Sequence, residues 1–151
     1  MSSIQQYQEL LKLLRIESPC TISTLRDIQG RLYSAQQSHL ITGKGIVANG
    51  TCLGIKGKQF KPSSHLLQLF GKTCTRKTVV NEKGEFLVTC GRDAWKENIT
   101  VTTCSDGDYT LILNSHSEVI GLGWYRNRKV ETMYDIGDYL RREKFTKRRR
   151  K

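Results

Sequence analysis

Ile4, Tyr7, Leu10, Leu11 and Leu14 recur at steps of three and four, the spacing of one face of a helix of about three to four turns. Gln5, Gln6, Gln8, Glu9 and Lys12 fall mainly on the other faces, and Ser18-Pro19 stops the run, because a residue before proline is pushed out of the helical region. The period then shortens. Thr24–Ile28 and Arg31–Ser34, with Gln29-Gly30 between them, predict a hairpin. Gly45 to Ile55 reads as a strand interrupted by glycine, where another backbone approaches closely or a bulge forms. After Pro62, Ser63 or Ser64 caps a short helix with Leu66, Leu67, Leu69 and Phe70 on its apolar side, and Gly71 ends it.

Beyond Gly71 the texture is that of short strands: Lys77–Val80, Glu85–Thr89, Ile99–Thr103, Tyr109–Asn114 and Glu118–Tyr125. Turn signals at Asn81-Glu82-Lys83-Gly84, Gly91-Arg92-Asp93 and Ser105-Asp106-Gly107 separate them, which is the pattern of a small barrel or sandwich. Asp135 caps a last short helix running to about Glu143, with Arg141 and Arg142 at the negative end of its dipole. The expectation is an α+β chain of two small domains: an N-terminal α/β domain over 1–71, a β-rich barrel-like domain over 72–144, and a basic tail over 145–151.

Charge changes this picture at one end. The chain carries 25 Lys and Arg against 14 Asp and Glu, a net +11. Its last eleven residues hold eight bases and one acid, a net +7, which leaves +4 on the other 140. Such a balance points to a polyanion, most commonly a nucleic acid. An anionic membrane surface is disfavoured, since the sequence has neither a long basic amphipathic helix nor a lipidation motif. No apolar run approaches the roughly 20 residues of a bilayer span, and MSSIQQYQELLKLLR lacks the basic and apolar regions of a signal peptide. A cytosolic or nuclear protein is expected.

Catalytic and metal-binding patterns are missing. The five cysteines (20, 52, 74, 90 and 104) show no C-x-x-C spacing and read as free, mostly buried thiols. His39, His65 and His116 are scattered. Gly43-Lys44-Gly45 lacks the phosphate-loop frame, and Asp106-Gly107-Asp108 starts like a calcium loop without the ligands that must follow. No catalytic residue, metal ligand or cofactor is expected.

Recognition chemistry is better supplied. In Trp124-Tyr125-Arg126-Asn127-Arg128-Lys129 two large aromatics are interleaved with bases. Arginine holds phosphates through paired hydrogen bonds, and aromatic rings stack unpaired bases. Strand alternation would put Trp124, Arg126 and Arg128 on one side, with Tyr125 and Asn127 on the other. Arg126, Arg128 and Lys129 are therefore candidate RNA contacts.

The stretch NGTCLGIKGKQFKPSSHLLQLFGK, followed by HSEVIGLGWY and DIGDYLRRE, resembles the Nip-seven family over about residues 40–144. The resemblance implies a non-catalytic assembly factor of the large ribosomal subunit with a C-terminal PUA domain. It implies binding to pre-ribosomal RNA, preferentially uridine-rich, alongside other assembly factors. The family's RNA-contacting bases cluster at the C-terminal helix, which maps here onto Arg141 and Arg142 after DIGDY. Lys144, Lys147 and Arg148 follow in the same basic run. Between Gly123 and Asp135 the family's longer excursion is abbreviated to WYRNRKVETMY.

The expected function is thus RNA binding in large-subunit biogenesis and pre-rRNA processing. The chain would be a monomer off the particle, in the nucleus and nucleolus, or in the cytoplasm of an archaeal host. Two other readings stay open: the RNA-recognition subunit of a modification enzyme, and a protein-interaction adaptor with a nuclear import tail.

Overall fold

The computed structural model describes residues 1–20, 24–35, 50–138 and 141. The chain divides into two compact units, Met1–Thr73 and Cys74–Lys151.

The first unit opens with helix α1, Ser3–Leu14. Ser2 caps it reciprocally with Gln5: the Ser2 hydroxyl accepts from the Gln5 amide at 3.2 Å, and the Ser2 amide donates to Gln5 Oε1 at 2.7 Å. The helix ends before Pro19 can act. Arg15 turns left-handed at φ 53° and donates its amide back to Lys12 O. Strands β1 (Leu25–Ile28), β2 (Arg31–Ser34), β3 (Thr51–Ile55) and β4 (Lys61–Pro62) pair antiparallel in chain order. The β1–β2 hairpin is the one expected, while residues 45–49 of the anticipated longer strand lie outside the described residues. Helix α2 spans Ser64–Thr73, and the Ser63 hydroxyl accepts from the Leu66 amide at 3.2 Å. Gly71 lies inside this helix and does not end it. Tyr7, Leu14, Leu32, Leu53, Leu66 and Phe70 are buried, with Tyr7 stacked on Phe70 and edge-on to Phe60.

The second unit holds β5 (Lys77–Val80), α3 (Glu82–Thr89), β6 (Ile99–Thr102), β7 (Tyr109–Leu113), β8 (Val119–Arg126) and β9 (Lys129–Asp135). Its sheet runs β6-β5-β7-β8-β9, antiparallel except for the β5–β7 pair. Ala94 bridges to Val130 on β9, and the same stretch of chain continues through a 3₁₀ turn at Lys96–Asn98 into β6 on the opposite edge. One segment thus meets both edges and closes the sheet into a small barrel. Register shifts between Val79 and Val80, Ile112 and Leu113, and Leu122 and Gly123 supply the bends such closure requires. Val80, Val88, Ala94, Ile112, Ile120 and Val130 form a core beneath α3.

Three expectations need correction. Glu85–Thr89 is helix, not strand. Asn81 accepts from the Gly84 amide at 2.9 Å, and Glu82 and Glu85 sit in the first turn, so the supposed turn is a helix start. Strand β9 occupies part of what was read as an abbreviated loop. Asp135 ends β9 and does not cap the expected last helix, which begins only at Asp138; its carboxylate is taken up by Arg141. Gly121 on β8 marks a close approach: a Cβ there would stand 2.5 Å from Tyr134 O on β9. Cys74 is buried, Cys20, Cys52 and Cys104 are half-buried, and Cys90 is exposed. Among the described residues no helix is long and apolar enough to cross a membrane.

Candidate nucleic-acid interface

The basic-aromatic stretch folds into the β8–β9 hairpin. Asn127 and Arg128 form its two-residue turn, with φ of 52° and 61°, the primed geometry that matches strand twist. The Asp106 carboxylate accepts from the Asn127 amide and braces the turn. Gly107 N donates to Tyr125 O, and Tyr125 N to Asp108 O, each at 2.8 Å. The Asp106-Gly107-Asp108 signal is therefore a turn that buttresses the hairpin.

Pairing register sets the exposed chemistry. Tyr109 on β7 lies opposite Trp124, which lies opposite Glu131; Arg126 lies opposite Lys129. The Tyr109 and Trp124 rings stack at 5.4 Å and 25°. Trp124 Nε1 donates to Gly107 O at 2.6 Å, fixing the indole. The Arg126 guanidinium carbon stands 4.0 Å above the Trp124 ring, a cation–π distance. Lys129 Nζ lies 3.1 Å from Glu131, 3.2 Å from Asp93 and 5.2 Å from the exposed Trp95 ring. Hydrogen bonding to Glu131 and then Asp93 raises the Lys129 pKa, so its charge is held and also balanced. Arg76 is paired with Asp108 at 2.7 Å. Among the described residues no carboxylate pairs with Arg126 or Arg128.

The structure thus brings Arg126, Arg128 and Lys129 together but separates Arg141 from them. Arg141 is tied to Asp135 at the far end of β9, on the order of 20 Å along a seven-residue strand. Its guanidinium donates to both Asp135 oxygens and to Thr89 O. Arg142, Lys144, Lys147 and Arg148 lie outside the described residues. Tyr109, Trp95 and the counter-ions Asp93 and Glu131 were not singled out from sequence. Tyr109 lies 17 positions from Arg126, and Trp95 and Asp93 lie 34 and 36 positions from Lys129, so the fold alone brings them together; Glu131, two positions from Lys129, is its neighbour along the same strand. Among the described residues no group of three His, Cys, Asp or Glu side chains converges as a metal ion needs.

Solved structures share this fold. A conserved PUA domain protein from Thermoplasma acidophilum aligns with a TM-score of 0.56 at 15% identity, covering 95% of this chain and 96% of its own. A PUA domain from Aeropyrum pernix K1, solved as a tartrate complex, aligns with a TM-score of 0.58 at 15% identity, over 90% of this chain and 84% of its own. A hypothetical protein from Pyrococcus horikoshii OT3 reaches 0.52 at 14% identity, over 93% and 95%. No curated protein matches the sequence. Residues 76–144, a little under half of the chain, match the family model of the UPF0113 PUA domain, and the second unit carries a PUA domain.

Proposed function

We propose that this protein is a non-catalytic RNA-binding factor of large ribosomal subunit biogenesis, acting in pre-rRNA processing. PUA domains generally bind RNA, and the PUA match over residues 76–144 is the observation that carries the reading. The hairpin adds to it two arginines without carboxylate partners among the described residues, one of them set on an indole. Ribosome assembly is supported by the motif order NGTCLGIKG, HSEVIGLGWY and DIGDYLRRE, which resembles the Nip-seven family. On this reading the chain holds a segment of pre-ribosomal RNA, preferentially uridine-rich, and performs no chemistry on it. It works with other assembly factors in the nucleus and nucleolus, or in the cytoplasm of an archaeal host.

The test is affinity for uridine-rich and adenine-rich single strands as a function of salt, together with sedimentation of the protein in cell extract. Contact with about four phosphates of a single strand gives a logarithmic salt slope of about −3. Co-sedimentation with large-subunit precursors is expected. Failure to bind either strand at low salt would sink the reading, and turnover of RNA would make the protein an enzyme.

A further inference from the structure

The cations of the second unit are not equivalent. Arg76, Lys129 and Arg141 each have a carboxylate within 3.2 Å. Arg126 has none among the described residues, and its guanidinium lies over an indole instead. That indole is held on three sides: by the stacked Tyr109 ring, by its own hydrogen bond to Gly107 O, and by Arg126 itself. A guanidinium centred 4.0 Å above an aromatic ring, on a side chain that is only half-buried, has one face toward the ring and can offer the other to a ligand. It is a flat cationic surface of about the width of a pyrimidine, fixed in place before any ligand arrives. Two residues on, Arg128 stands exposed in a turn braced by Asp106.

We propose that Arg126 is a stacking surface for an unpaired RNA base, which lies on the open face of the guanidinium and extends the assembly begun by Tyr109 and Trp124. Arg128 holds the phosphate of the same strand. The inference rests on the RNA-binding reading above and adds the mode of binding. Bases stack on arginine planes as well as on aromatic rings, and stacking needs a base freed from its duplex partner, so the ligand is single-stranded. Lys129 contributes little attraction of its own, since Glu131 and Asp93 already balance its charge. Affinity at this face therefore comes from the plane of Arg126 more than from net charge. A lysine at 126 keeps the charge and loses the plane.

Both tryptophans of the chain, Trp95 and Trp124, lie against cations of this hairpin, so intrinsic fluorescence reports on it directly. In a Trp95→Phe background the emission belongs to Trp124 alone. The full chain is titrated at low salt with short oligouridylate, oligoadenylate and a ribose-phosphate oligomer lacking bases. The base-bearing strands should bind and change Trp124 emission, and the abasic oligomer should bind far more weakly. Arg126→Lys should lose about tenfold in affinity for the base-bearing strands, together with the emission change. Arg128→Ala should weaken binding and flatten the salt slope while keeping the emission change. If Arg126→Lys binds and responds like the parent, stacking on Arg126 is wrong and only charge matters. If neither Arg126→Lys nor Arg126→Ala alters binding, the inference falls while the RNA-binding reading stands. If the parent binds no oligonucleotide, both fall.

Discussion

Arg141 grips Asp135 with two parallel hydrogen bonds, Nη1 to Oδ1 at 2.9 Å and Nη2 to Oδ2 at 2.8 Å, and Nη1 also donates to Thr89 O. Hydrogen bonding to Asp135 raises the arginine's pKa further above its ordinary value. The Asp135 side chain is only 6% exposed, so removing Arg141 strands a carboxylate that water barely reaches. A fully buried broken pair costs about 3–5 kcal/mol. Arg141 is 36% exposed, so solvent screening reduces that to about 2 kcal/mol. Arg141→Ala and Asp135→Ala should each destabilise the second unit by about this amount. Together they should cost less than their sum, because the second loss removes the orphaned partner. Denaturant unfolding followed by tryptophan emission measures the cycle.

The same grip bears on RNA. A guanidinium already donating to a carboxylate and a carbonyl has few donors left for phosphate. Among folded molecules, Arg141→Ala should therefore reduce RNA affinity less than Arg126→Ala does. Asp135→Asn offers the converse check. If Arg141 were a phosphate ligand restrained by Asp135, neutralising that carboxylate would strengthen RNA binding. No strengthening is expected, and filter binding at matched folded fraction decides it.

Lys129 and Arg128 are adjacent in sequence and should behave differently in salt. Arg128 is exposed without a carboxylate partner among the described residues, whereas Lys129 sits between Glu131 and Asp93. Each phosphate neutralised on a single strand contributes about 0.7 to the logarithmic salt slope. Arg128→Ala should lower the slope by about that much, and Lys129→Ala by much less. Equal changes would show that the counter-ions of Lys129 move away when RNA binds.

Gly137 is the steric key to the end of β9. A Cβ there would stand 2.0 Å from the Thr89 carbonyl oxygen, the same carbonyl that Arg141 reaches. That oxygen is backbone and cannot rotate away. Gly137→Ala should therefore destabilise the second unit by about 1–3 kcal/mol, and it should weaken the extra effect of Arg141→Ala because the turn carrying the arginine is displaced. Melting temperatures of the single and double variants check both statements.

Much of this was legible in the residue pattern. Amphipathic spacing located α1, and alternation with turn residues located β1, β2, β5, β6, β7 and β8. The failures have physical causes. Glu85–Thr89 is a short apolar run that periodicity alone cannot divide between strand and helix; the Asn81 cap and the acidic first turn were the signals that decide it. Strand β9 was hidden because Arg128 takes a left-handed turn conformation without being glycine or asparagine. The interleaved bases of the hairpin were visible in the sequence, but the distinction between balanced and unbalanced cations was not. It depends on Asp93 joining Glu131 at Lys129, which only the fold brings about.

Asp27 supplies a test in the first unit. Its Oδ2 accepts from the Ser3 amide at 3.0 Å, in the first turn of α1, and its Oδ1 accepts from Gly30 at 3.0 Å, so one carboxylate joins the helix start to the β1–β2 turn. Hydrogen bonding from Ser3, ahead of that from Gly30, holds its pKa below the ordinary 3.8, and the positive end of the helix dipole favours the ionised form as well. A carboxyl whose pKa is lower folded than unfolded binds protons more tightly when unfolded. Its contribution is therefore complete above the unfolded value and is lost as pH falls through the folded one. Hydrogen bonds to a charged group contribute about 1.5–3 kcal/mol, and the exposure of Asp27 brings this to about 1 kcal/mol. Asp27→Asn should thus cost the first unit about 1 kcal/mol at neutral pH. The deficit should shrink below about pH 4, where the parent loses the same charge. Because both tryptophans lie in the second unit, far-ultraviolet circular dichroism is the suitable probe. A deficit that stays constant down to pH 2 would mean that the amide geometry, and not the charge, holds α1 to the hairpin.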